Sequence, residues 1–168
     1  MRSTNIRRAS LKTLPAAPDL FGRDPAWPQG LRYQPGFITG EEERGIIDAF
    51  ASLPLEPFQF GAFEGKRRVA SFGLRYDFGD QRLHAAEAFP DFTRPLAARV
   101  ETFGGLERGA IRHILCTEYA GIGWHRDKAA FDVVLGISLG SACPFRFRRK
   151  AAARWQRFTL DAAPVRSI

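Results

Sequence analysis

His125 and Asp127 lie two residues apart, just after Gly121, Ile122, Gly123 and Trp124. In an extended segment, side chains at i and i+2 share one face. An imidazole and a carboxylate so placed can bind one metal ion in cis. They supply two parts of a 2-His-1-carboxylate site, which leaves other positions on iron open for oxygen chemistry. The other histidines fit that chemistry less well. His113 shares strand parity with Thr117 and Tyr119, but it precedes Tyr119 by six residues. At ~3.4 Å per residue that is roughly 20 Å along a strand, so His113 is expected to be a packed or surface group. His84 sits in the polar segment Gln81 to His84 with no partner at ligand spacing, and is expected to be solvated. Cys116 and Cys143 match no paired metal spacing and are expected to be free, buried thiols.

The elements that must position the pair can be read from punctuation and periodicity. The chain has 168 residues, the size of one domain. Residues 1–29 are expected to form a flexible basic and Pro-rich arm. It carries Arg2, Arg7, Arg8 and Lys12, then Pro15, Pro18, Pro25 and Pro28, with Leu20, Phe21 and Trp27 as anchors to the body. Residues 30–168 form the folded part, with ordered structure from Leu31. Thr39 and Glu42 have capping-box spacing, and Ile46, Ile47, Phe50 and Leu53 follow at helical intervals. That helix ends before Pro54. Pro57 to Phe63 and Lys66 to Phe72 predict a hairpin turning at Glu64 and Gly65, and Gly73 to Phe78 is strand or loop. A second helical stripe carries Leu96, Val100 and Phe103, with Pro95 in its first turn and Gly104 and Gly105 as its stop. Beyond Ala110, four strands are expected: Ile111 to Tyr119, Phe131 to Ser138, Cys143 to Arg149 and Trp155 to Leu160. The plan is α+β with a mainly β core, helices first and strands second, as in a sandwich or jelly roll.

Lys and Arg number 25 against 18 Asp and Glu, a net charge of +7 with a pI near 10.1. Such a surface favours polyanions, nucleic acid first. Lys66, Arg67, Arg68 and Arg75 flank the predicted hairpin, among Phe60, Phe63, Phe72 and Tyr76, which could stack on bases. Arg146, Arg148, Arg149 and Lys150 share a strand with Phe145 and Phe147 pointing the other way, and are expected to form a solvated face. No apolar run is long enough to cross a membrane, and the basic start lacks the apolar core of a signal peptide. A cytoplasmic monomer is expected.

Around the metal-capable pair the sequence resembles the AlkB family of Fe(II)- and 2-oxoglutarate-dependent dioxygenases. The resemblance rests on Leu115, Thr117 and Tyr119, then Gly121, Ile122, Gly123, His125 and Asp127. It continues through Gly136 to Gly140 and Phe145 to Arg149. Upstream, Arg67 to Tyr76 is similar to the family's substrate-facing hairpin, and Leu31 to Glu43 to its leading strand and helix. Together these stretches span residues 31 to 160.

The resemblance implies a double-stranded β-helix (jelly roll) with N-terminal helices. His125 and Asp127 would ligate Fe(II), and Tyr119 would hydrogen-bond the co-substrate 2-oxoglutarate. Thr117 stands where the family usually has Asn and can donate one hydrogen bond there. Arg67, Arg68, Phe72 and Tyr76 would face the substrate. The implied reaction turns 2-oxoglutarate and O2 into succinate and CO2 while hydroxylating an N-alkyl carbon, which leaves as an aldehyde. Alkylated single-stranded DNA or RNA is the implied partner, with a protein side chain also open. The family's distal iron-ligating His has no counterpart, since no His follows Asp127, and Arg166 comes too early for the family's cofactor Arg. The expectation is a C-terminally truncated member, lacking about three strands of the eight-stranded plan. It would expose Leu135, Ile137, Phe145 and Phe147 and be inactive alone. Three readings stand: an oxidative demethylase, a truncated inactive member, and a non-catalytic nucleic-acid-binding module.

Overall fold

The computed structural model describes residue 28 and residues 30–60, 62–119 and 121–162. The expected arm, residues 1–29, falls outside these apart from Pro28, as do Pro164 to Ile168. The described residues divide into two compact units, residues 28 and 30–37 with 142–162, and residues 38–141. The described architecture is mixed α+β, mainly strands, with α-helices α1 (Gly40–Phe50) and α2 (Arg94–Gly104). The pairings between the described strands are antiparallel, with one isolated parallel bridge between Phe72 and Glu87, and the sheets are small.

The larger unit opens with α1. Thr39 Oγ1 accepts from the Glu42 amide at 3.1 Å, and the Glu42 carboxylate accepts from the Thr39 amide at 2.7 Å, the reciprocal capping box that the sequence predicts. Ile46 is buried on the inner stripe, whereas Ile47 is largely exposed. The second helix also follows its signals: Pro95 lies in the first turn, and Gly105 takes the left-handed conformation at φ 68° to end it. Arg99 of α2 donates to the Glu42 carboxylate and so ties the helices together.

The principal sheet has the order β1-β2-β5, from β1 (Glu56–Phe60), β2 (Phe63–Phe72) and β5 (Ile114–Glu118). Phe60 pairs with Phe63, so the hairpin reverses before Glu64 and Gly65, which belong to β2. Alternation places Arg68, Ala70 and Phe72 on one face of β2, opposite Glu118, Cys116 and Ile114. Ala70, Phe72 and Cys116 form the core of this face, covered by Phe50, Leu53, Leu55, Phe89 and Phe92. Burial pushes the Cys116 thiol up to about 11. Both cysteines are free, and Cys143 is only half-buried.

Gly73 lets the chain leave β2 and enter the hairpin β3 (Leu74–Asp77) and β4 (Arg82–Ala85). Its φ is +74°, and a Cβ there would lie 2.4 Å from the Phe89 ring and 2.5 Å from the Arg112 carbonyl oxygen. The smaller unit contains the hairpin β6 (Cys143–Ala151) and β7 (Arg154–Ala162).

Several expectations need correction. No strand precedes α1 among the described residues, so Leu31 to Thr39 is irregular. Phe131 to Ser138 is also irregular despite its β-branched composition, leaving three strands after Ala110 rather than four. Four strands precede that point, so helices and strands interleave. Strand propensity needs a partner edge to be realised. Here Val134 stays 65% exposed. Of the residues expected on open faces, Ile137 and Phe145 are exposed, whereas Leu135 and Phe147 are half-buried.

Gly73→Ala should cost about 1–3 kcal/mol from backbone strain alone. Gly45→Ala, on the exposed side of α1 with nothing near its Cβ position, should gain up to about 1 kcal/mol. Urea unfolding of the two variants checks both signs.

Candidate metal-binding site

β5 ends at Glu118, and residues 121–128 have no regular structure, with a bend at Trp124. Gly121 has φ 113°, a conformation that favours glycine and turns the chain there. The structure brings His125 and Asp127 together, with Nε2 3.5 Å from Oδ1. The His125 Nδ1–H donates to the Gly123 carbonyl oxygen at 2.9 Å. A carbonyl can only accept, so Nδ1 is the donor in this bond and Nε2 is the ring nitrogen that faces the carboxylate. Such a bond from the far ring nitrogen is how metal-ligating imidazoles are commonly oriented. Both side chains are more than half exposed, so an ion can reach them without any opening of the fold.

Lys128 follows immediately. Its ammonium lies 5.9 Å from the ring centroids of Tyr76 and of Phe78, at the edge of cation–π range. Those rings belong to an aromatic cluster. Phe58 and Phe78 meet edge-on at 5.4 Å, Tyr76 and Phe78 at 5.0 Å, and Tyr76 and Phe131 at 6.0 Å. His113 stacks on Phe131 at 5.4 Å. The metal-capable segment is thus flanked by Lys128 and Phe131, both lodged on one aromatic cluster. Tyr76, a predicted substrate residue, is part of it.

The remaining predicted residues disperse. Thr117 pairs with Val69 in the sheet. Tyr119 is 53% exposed one residue past β5. Arg67 and Arg68 point to opposite faces of β2. The Arg67 guanidinium covers the Phe58 ring at 3.9 Å, and Arg68 is ion-paired with Glu118 at 2.6 Å. Phe72 is only 4% exposed and is a core side chain, so its ring has no open face for a base. Parity along β2 explains this, because Phe72 shares the face of Ala70.

His84 is exposed, as expected, but it does not lack partners. Its Nε2 lies 2.7 Å from Asp80 Oδ2, and with Asp77 it forms a group whose ligand atoms all lie within 4.8 Å of one another. Asp77 closes the β3–β4 turn by accepting from the Gly79 amide at 2.7 Å and the Asp80 amide at 3.4 Å. Those bonds, the Gly79 bond foremost, hold its carboxyl below the usual range. The signal was cross-strand pairing: Tyr76 opposite Leu83 sets Asp77 and His84 close together. This is the one such group of three among the described residues, so none of them joins His125 and Asp127 as a third ligand of that kind.

Comparison with family models, curated proteins and solved structures gives no match to this chain.

His113 is packed, as expected. Its Nε2 is buried with no hydrogen-bond partner among the described residues, and burial holds its pKa below the ordinary 6.5. The fold therefore favours the neutral ring, while the unfolded chain takes up the proton first. The His113 contribution is fully present above about pH 6.5 and is lost as pH falls toward the lower folded value. Stability measured by urea unfolding should drop between pH 7.5 and 5.5, and His113→Phe should flatten that dependence.

Proposed function

We propose that this chain carries the metal-binding segment of an AlkB-type Fe(II)- and 2-oxoglutarate-dependent dioxygenase acting on alkylated nucleic acid. The observation behind this reading is the His125–Asp127 pair, held with Nε2 facing Oδ1 at 3.5 Å in a segment whose sequence resembles the family's pattern. The donor set, one imidazole nitrogen and one carboxylate oxygen, suits Fe(II) in two adjacent positions. When bound, iron and 2-oxoglutarate would supply oxidation of an N-alkyl carbon by O2.

The chain's own residues would do the rest. The Gly123 carbonyl would hold the imidazole ring in place through Nδ1. Tyr119 presents an exposed phenol, able to donate to a co-substrate carboxylate, with Thr117 as a second hydroxyl donor. Tyr76 and the neighbouring rings offer apolar surface beside the segment, and Lys128 places a cation there for a phosphate. The jelly roll itself belongs to this proposal, since the described sheets have two or three strands each.

A second reading is favoured by one observation: among the described residues no third His, Cys, Asp or Glu joins the pair. On that reading the chain binds metal and nucleic acid without turnover.

Anaerobic titration calorimetry with Fe(II) or Mn(II) should show weak binding that His125→Ala removes and His84→Ala leaves in place. Unchanged binding in His125→Ala would overturn the assignment. Succinate formation from 2-oxoglutarate with an N-methylated oligonucleotide then separates the two readings. We expect little or none from this chain, and robust turnover would mean that another residue completes the site.

A further inference from the structure

The β6–β7 hairpin carries a second surface, independent of the iron reading. Its register pairs Cys143 with Ala162 through to Ala151 with Arg154 without interruption. Side chains alternate across a strand, so this register sorts them strictly. Arg146, Arg148 and Lys150 of β6 fall on one face, with Trp155, Arg157 and Thr159 of β7. All six are exposed. The opposite face carries Cys143, Phe147, Phe158 and Leu160, each half-buried, and the buried Ala162. Arg149 departs from the sequence expectation of one basic face. It lies on the apolar side, bonded to Gln156 at 2.8 Å, with its guanidinium 5.5 Å from the Phe158 ring.

The exposed face is therefore built of cations around one aromatic. The Arg148 guanidinium sits 4.9 Å from the Trp155 ring, and that indole is 55% exposed. Cations two residues apart on a strand are ~7 Å apart, and those on neighbouring strands about 5 Å. This is a two-dimensional array rather than a point charge. Asp161 shares the face through its pairing with Pro144, at the end remote from Trp155. Two small residues, Ala152 and Ala153, make the turn beside the indole.

We propose that this face binds single-stranded nucleic acid, with Arg146, Arg148, Lys150 and Arg157 on phosphates and Trp155 stacked on a base. Charge complementarity argues for a polyanion. The exposed indole argues for an unpaired base, since stacking platforms beside cationic tracks are how single strands are held. A lipid surface fits less well, because one indole is the only large apolar side chain on this face. The binding needs no metal and so does not depend on the dioxygenase reading.

The test is fluorescence anisotropy of a labelled oligothymidylate with the full chain in EDTA, across a range of KCl. Each lost phosphate contact lowers the log–log salt slope by about 0.7 for a single strand. Arg146→Gln/Arg148→Gln should lower it by about 1.4, while Arg149→Gln/Arg154→Gln, with the same change in charge on the other face, should leave it unchanged. Trp155→Ala should weaken binding at least about five-fold with the slope retained. Far-UV circular dichroism checks that each variant folds. Equal slopes for the two double variants would reduce the effect to net charge and overturn the proposal. So would no binding by the unaltered chain. Loss of binding to phosphatidylserine vesicles in Arg146→Gln/Arg148→Gln, with oligonucleotide binding intact, would assign the face to a membrane and also overturn it.

Discussion

β2 and β5 pair from Arg68 opposite Glu118 to Phe72 opposite Ile114, joining segments about 50 residues apart in the chain. That pairing sets the larger unit. It fixes Ala70, Phe72 and Cys116 as one core face, and closes the open end of the face with the Arg68–Glu118 ion pair. It also fixes where β5 ends, and hence where Tyr119 and the irregular chain carrying His125 and Asp127 leave the sheet. The ion pair is exposed, so its own contribution is small, on the order of 0–1 kcal/mol. Burial of Phe72 contributes more, roughly 1.5–3 kcal/mol relative to leaving it in water.

Loops carry the candidate chemistry, and two buried carboxylates hold them. Glu43 of α1 accepts from the Gly140 amide at 2.8 Å, and Glu101 of α2 accepts from the Ile111 amide at 3.2 Å. Each helix thus supplies an acceptor to a segment with no sheet partner. An unpaired backbone N–H in a buried place costs about 1–3 kcal/mol. The two glutamates therefore do for the loops flanking β5 and the metal-capable segment what a neighbouring strand would otherwise do. Leu135 adds packing, with its Cδ1 3.1 Å from where a Cβ of Gly104 would stand.

Local signals were the readable ones. The capping box at Thr39 and the Gly105 stop are set by residues within a few positions of one another, and both helices follow them. The 125–127 spacing was likewise local, and the side chains do meet. What sequence could not carry was pairing. Phe131 to Ser138 has the composition of a strand but finds no edge. Phe72 has the look of a stacking residue, yet its parity with Ala70 makes it core. Asp77 and His84 are separated by a turn and meet only because Tyr76 faces Leu83. The same limit hid the cationic face of β6–β7, for Trp155 and Arg157 join Arg148 only once the register is known.

The two candidate sites rest on different physical footings. His125 and Asp127 sit in irregular chain, oriented by one carbonyl bond and by neighbours lodged on an aromatic cluster. The β6–β7 face is fixed by a continuous ladder. Slipping that register by one residue would exchange its two faces, burying Arg148 and Lys150 and exposing Phe147 and Phe158. Half-burial of the phenylalanines opposes such a slip, because each would lose its apolar cover. The apolar face of the hairpin thereby holds the cationic array in place, and charges spaced along rigid strands lose little freedom when a polyanion docks on them.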